Sequence, residues 1–380
     1  MHPAFGMEES MESQCWHIPF DQMERFMREV FEAVGVPPED AAICADVLIT
    51  SDKRGIDSHG VGRLKPIYID RILEGIQHPV TQFEVVKETE TTAVVDGHDG
   101  MGHVIARRCM EMAIDKARRN GLGMVVARNS THYGIAGYYS LMAIEAGQIG
   151  ITGTNARPSI APTFGVENML GTNPLTIGAP SDEPFPFLID CATSITQRGK
   201  IEVYARLDKP MPPGWVIGED GQTRTDPHAT LKELVAGTAA LVPLGGIGEE
   251  TGGYKGYGYA TAVEILSAAL QEGRFLKGLL GYEDGRKVPY HLGHFFLAID
   301  IEHFVPLAVF KRITGEILRE LRQSRKAPGQ TRIYTAGEKE WEAWLERKDR
   351  GVPINEPLRK DCDALRDRLG LHHWRFPWDD

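Results

Sequence analysis

Gly121-Leu122-Gly123-Met124-Val125-Val126-Ala127-Arg128-Asn129-Ser130-Thr131-His132-Tyr133-Gly134 is the stretch on which the fold turns. Its first half is an apolar run of strand length, the pattern of a strand buried on both faces. Asn129, Ser130 and Thr131 close the run, and a helical pattern continues from Gly134 to Ala146. Before it, Gly102 to Arg119 reads as a helix with Cys109, Met110, Met112 and Ala113 on its inner face. After it, Gln148 to Thr154 reads as another strand. This alternation predicts a layered α/β domain. His132 stands between the strand and the next helix, a favoured place for a side chain aimed into a cleft.

Working outward, Phe83 to Val95 reads as two short strands, and Phe187–Asp190 and Leu292–Ile299 as further ones. Both chain ends are helical in pattern. Asp21 is a suitable N-cap for a helix with Met23, Phe26, Met27, Val30 and Phe31 at helical spacing. Pro37 and Pro38 open the next helix, Leu64–Leu73 gives a third, Pro306–Arg322 a fourth, and the tail from Gly337 is charged and helical. The expected organisation is a loose leader at 1–15, a helical domain from 16–90 and 306–380, and an α/β domain at 91–305.

The 380 residues carry 42 basic and 53 acidic side chains, a formal net charge of -11. That balance argues against a nucleic-acid or anionic-membrane binder. No apolar run approaches the roughly 20 residues of a spanning helix. Five scattered cysteines without close pairing point to reduced thiols and a cytoplasmic protein. The histidines form no HExxH pattern, and no metal site is expected; His291 and His294 read as surface or packing residues.

Arg54-Gly55-Ile56-Asp57-Ser58-His59-Gly60-Val61-Gly62-Arg63 concentrates chemistry that packing does not require. An imidazole exchanges a proton near neutral pH, and a guanidinium grips a carboxylate through two parallel hydrogen bonds. Arg63 also precedes a helical pattern, whose first N–H groups favour an anion. The usual glycine fingerprint of pyridine-nucleotide binding is missing. Gly253-Tyr254-Lys255-Gly256-Tyr257-Gly258 has the wrong spacing, and Gly246-Ile247-Gly248-Glu249-Glu250-Thr251 puts two acids where phosphates would sit. Motif rules alone leave an enzyme of unknown chemistry or a small-ligand-binding protein.

Four blocks in order, Arg54–Gly60, Gly171-Thr172-Asn173-Pro174, Asp190-Cys191-Ala192-Thr193-Ser194 and Gly253–Gly258, resemble the type 2 malate/L-lactate dehydrogenase family. That family includes the ureidoglycolate, sulfolactate and diketogulonate dehydrogenases and the cyclic imine reductases. The similarity runs from about residue 20 to about residue 370. It implies a nicotinamide-dependent oxidoreductase, using NAD or NADP, whose cofactor domain is a non-Rossmann α/β fold with a mixed sheet. It also implies a homodimer or a dimer of dimers, with the active site near the subunit interface. By the same resemblance, His132 matches a histidine proposed to exchange the proton, and Ser58 and His59 a catalytic Ser-His pair. Arg63 matches the substrate-carboxylate arginine. Asp190, Cys191, Ala192, Thr193 and Ser194 match a cofactor-contacting loop, with Lys255 and Gly256 as a second contact. Tyr254 departs from the pattern, since many relatives carry histidine there.

Reducing a 2-oxo acid needs a hydride, a proton and a clamp for the carboxylate. Arg63 suits the clamp, and His132 the proton, with a titration near neutral pH as the expected signature. Asp190 reads either as an acid holding an imidazole in one tautomer or as a strand-end cap. The reading is a dehydrogenase of a small 2-hydroxy acid of the malate or lactate type. The alternatives are a cyclic imine carboxylate reductase and a catalytically inactive ligand-binding relative.

Overall fold

The computed structural model describes residues 15–379, so the expected leader lies outside the described residues except for Cys15, which is exposed. Seven strands form one sheet: β1 (Glu84–Glu88), β2 (Thr92–Asp96), β3 (Leu122–Ser130), β4 (Gln148–Thr154), β5 (Leu175–Ala179), β6 (Phe187–Cys191) and β7 (Leu292–Asp300). Their spatial order is β1-β2-β3-β7-β4-β5-β6. Only β2 and β3 run parallel; the other neighbours are antiparallel. The strand of this sheet that comes last in the chain thus fills its middle, with Phe296 opposite Val125 on one side and Thr152 on the other.

Eight further helices matter here: α1 (Phe20–Ala33), α2 (Pro38–Lys53), α3 (Gly102–Asn120), α4 (Gly137–Glu145), α5 (Gly253–Ala268), α6 (Leu307–Gln323), α7 (Glu338–Arg347) and α8 (Glu356–Arg368). The sheet is covered on both faces, which is why β3 reads as an almost unbroken apolar run. Cys109, Met110 and Ala113 of α3 join Val125, Phe296 and Ala298 in one core. On the other face Val126 and Phe295 meet Val263 of α5.

A third core joins the chain ends. Met23, Phe26, Met27, Val30 and Phe31 of α1 pack with Val352, Ile354, Cys362, Leu365, Trp374 and Phe376. Phe26 meets Trp374 and Phe376 edge-on, with centroids 5.6 and 5.1 Å away, and Trp16–Ile18 pairs antiparallel with Val352–Ile354.

The sequence expectations need four corrections. Residues 84–88, assigned to the helical unit, are an edge strand of the sheet because they pair with β2. Helix α6 stands apart from the terminal core: Arg319 and Arg322 tie it to Asp182 and Glu183, between β5 and β6. Helix α1 starts at Phe20, because the Pro19 carbonyl takes the Gln22 and Met23 N–H groups; Asp21 lies in the first turn, where its charge suits the helix dipole. Helix α5 begins at Gly253 where a glycine-rich loop was expected, placing Lys255 in its first turn.

Candidate active site

Helix α2 runs out at Lys53, and the chain turns through Arg54–Gly60 before rising again at Val61. Two anchors fix this turn. The buried Asp52 carboxylate accepts the Val61 N–H at 2.9 Å. Arg347 of α7 reaches the Asp52 carbonyl at 3.0 Å and the Asp57 carboxylate at 2.8 Å. Burial pushes the Asp52 carboxyl well up, opposed by the Val61 N–H. On the turn, Ser58 Oγ lies 2.8 Å from His59 Nδ1, and Arg63 Nε donates to the Ser58 carbonyl.

Leu64–Ile69, expected as ordinary α-helix, is a π-helical turn that continues as α-helix over Asp70–Leu73. Such wide turns recur at functional sites. This one carries Tyr68, whose hydroxyl lies 2.6 Å from His132 Nδ1. The Gly134 N–H donates to the same nitrogen at 3.2 Å. A backbone N–H can only donate, so Nδ1 is an acceptor and the neutral ring carries its proton on Nε2. Tyr68 is then the second donor. The His59 and His132 rings lie nearly parallel, 18° apart, with centroids separated by 5.8 Å.

Electrostatics keep both rings neutral. Burial holds His132 well below the ordinary histidine range, helped by the fixed charges of Arg71 and Arg63. His59 is pushed down to about 4 by burial and then by Arg63. The near-neutral titration expected from sequence therefore moves to the acid side, because desolvation and nearby cations disfavour the imidazolium.

Asp190 binds neither imidazole. At the end of β6 its carboxylate accepts the Gly137 N–H at 2.7 Å, opening α4, and the Thr176 hydroxyl at 3.0 Å. Of its two readings the cap is the one seen, because Gly137 starts the helix directly after the His132 segment. Burial pushes its carboxyl up, against those two hydrogen bonds and the Arg54 charge.

The other blocks converge beside it. The Thr193 hydroxyl donates to the carbonyls of Thr172 and Asn173, and its own carbonyl accepts the Leu244 N–H at 2.9 Å. Gly256 of α5 rests on Leu244 so closely that a Cβ there would fall 2.3 Å from the Leu244 oxygen. Lys255, on the same turn, is exposed. The Ser194 and Thr196 hydroxyls are buried without a partner among the described residues. Cys191 is exposed at its residue surface, and partial burial of its sulfur, then the Asp190 charge, push the thiol up, away from nucleophile chemistry.

Sequence reasoning missed Tyr68, His103 and Arg71. Tyr68 lay inside the Leu64–Leu73 helical pattern and was not singled out. His103 began the inner face of α3 and drew no notice. Arg71 was not singled out either; its guanidinium lies over the Tyr290 ring, 4.5 Å from its centroid. His294 is a packing residue: fully buried, it lies 2.7 Å from Thr154 Oγ1 and from Ser130 Oγ.

Comparison with known proteins places this arrangement in context. Residues 18–362 match the family model described as malate/L-lactate dehydrogenase. The chain is 44% identical over 355 residues to malate dehydrogenase of Pyrococcus horikoshii, covering 93% of this chain and 96% of that protein. It is 38% identical to L-sulfolactate dehydrogenase of Methanocaldococcus jannaschii, over 92% of this chain and 96% of that one. The crystal structure of malate dehydrogenase from Entamoeba histolytica superposes with a TM-score of 0.91 at 44% identity, covering 96% of this chain and 100% of that one.

Proposed function

The chain belongs to the malate/L-lactate dehydrogenase family and is a 2-hydroxyacid dehydrogenase; we propose that it oxidises and reduces a malate-type acid, with Arg63 holding a carboxylate and His132 exchanging the proton. The observation that carries this reading is the fixed tautomer of His132, with Tyr68 and Gly134 both donating to Nδ1. That leaves the Nε2–H free to donate to the substrate oxygen as the oxo acid is reduced, while the Tyr68 hydroxyl passes its proton to Nδ1 so that the ring stays neutral; oxidation runs the same relay backwards. A neutral imidazole can polarise a carbonyl without the cost of keeping a charge buried. Arg63 and Arg71 both stand near enough to His132 to oppose its protonation. Two guanidiniums suit a dianionic acid better than a monocarboxylate.

A nicotinamide cofactor, NAD or NADP, supplies or accepts the hydride when bound. The residues fit such a group: the partnerless Ser194 and Thr196 hydroxyls want polar contacts. Asp190, Cys191, Ala192, Thr193 and Ser194, with Lys255 and Gly256, would hold it. The cofactor then lies on the mixed-sheet part of the chain, away from any Rossmann-type glycine turn. A homodimer, or a dimer of dimers, completes the proposal, supported by the exposed apolar row Val309, Ile313, Ile317 and Leu321 on α6. A cytoplasmic location is supported by five free cysteines.

The test is a panel of malate, sulfolactate, lactate and a cyclic imine carboxylate, each assayed with both cofactors. Malate or sulfolactate should give the highest kcat/KM. A preference for lactate would overturn the dianion clamp, and cofactor binding without any turnover would overturn the dehydrogenase reading.

A further inference from the structure

His103, on the first turn of α3, is fully buried, and neither ring nitrogen has a hydrogen-bond partner among the described residues. A leucine would fill such a place without leaving two polar atoms unpaired, so the imidazole calls for an explanation. Its neighbours supply one. The His103 ring lies against Tyr68, centroid to centroid 4.5 Å at a tilt of 39°. Past the Nε2 edge of the ring runs the backbone of Gly134, held at φ +80°. A Cβ built on Gly134 would fall 3.1 Å from His103 Nε2 and 2.5 Å from Val47 Cγ1, so no larger residue fits. Tyr68 and Gly134 are the two donors that meet at His132 Nδ1. Both rest on the same buried ring.

We propose that His103 is a positioning residue: it seats Tyr68 and Gly134 together, and so fixes His132 in the tautomer that presents Nε2–H to the substrate. A planar ring is what the place requires. It is flat enough to lie against the phenol while its Nε2 edge meets the glycine backbone, and stiff enough to keep the two in register. Burial pushes its pKa down to about 3, so it stays neutral beside His132. The inference rests on the proposed role of His132 and adds to it a residue that touches neither substrate nor cofactor.

The experiment compares His103→Leu and His103→Phe with Tyr68→Phe in the full chain. It measures kcat, KM for the oxo acid, cofactor affinity by fluorescence, and the His132 tautomer by 15N NMR. His103→Leu should lower kcat about 10-fold or more, as small misplacements of catalytic groups do. KM and cofactor affinity should stay within about twofold, and the single Nε2–H signature of His132 should be lost. His103→Phe, which restores a planar ring, should keep kcat within about threefold. Wild-type kcat with an intact tautomer in His103→Leu overturns the inference, as does equal loss in both variants. Should His103→Leu fail to fold, His103→Asn, too short to reach Tyr68, is read the same way. Tyr68→Phe separates the levels. If it is fully active, the reading of the site itself fails; if it is impaired while His103→Leu is not, only the role of His103 fails.

Discussion

The two sides of the site are built on different principles. Its lip, the turn with Ser58, His59 and Arg63, is partly exposed and held from behind by Asp52 and Arg347. Its wall, with Tyr68, His103, His132 and Gly134, is packed ring on ring and fixed by hydrogen bonds to one nitrogen. A held lip keeps side chains with donors still free, which suits gripping a ligand. A packed wall leaves a single proton arrangement, which suits chemistry. Substitutions on the lip should therefore act on binding, and substitutions on the wall on turnover.

The largest effect should come from the wall. His132→Ala should cut kcat by roughly 10²–10⁴-fold while leaving cofactor affinity intact, as read by steady-state kinetics and cofactor fluorescence. Next comes the lip: Arg63→Ala should raise KM for the oxo acid by roughly 10- to 100-fold, the equivalent of a charged hydrogen bond of about 1.5–3 kcal/mol. A kcat loss without a KM change would move Arg63 from lip to wall. Tyr68→Phe removes one donor and keeps the ring, so kcat should fall roughly 3- to 10-fold with KM unchanged. The smallest effect tests how the lip is held. Arg347→Ala breaks a half-exposed pair with Asp57, whose contribution to stability should be at most about 1 kcal/mol by denaturant titration. A modest rise in KM should accompany it.

The same contrast explains what could be read from sequence. The strand Leu122–Ser130, helix α3 and the buried face of α1 were legible because hydrophobic period reports directly on burial. The lip was legible as well, since Ser58, His59 and Arg63 are neighbours in the chain. The wall was not. Tyr68 meets His132 across 64 residues, through a π-turn that leaves no mark in an apolar pattern. His103 carries its role in what it packs against, and spacing says nothing about that. Asp190 was seen as an acid at a strand end, but its partner, the Gly137 N–H, is backbone and invisible to motif reading. The start of α5 at Gly253 was hidden by glycines that deny a helix on propensity, although close packing of Gly253 on Gly246 and of Gly256 on Leu244 demands two of them.

The most direct test of His132 as proton carrier is the pH dependence of kcat/KM in the wild type, His132→Ala and His59→Ala. The folded-state pKa of His132 is depressed, so the ring stays neutral through the neutral range and protonates only well below the ordinary value of about 6.5. Protonation puts a hydrogen on Nδ1 against the Gly134 N–H and removes the acceptor both donors share. The wild type should then be flat through neutrality, with activity falling only well below the ordinary histidine range. His59→Ala should keep that acid limb and raise KM, whereas the residual activity of His132→Ala should lose it. A limb that survives in His132→Ala and disappears in His59→Ala would contradict the assignment and move the proton to the lip.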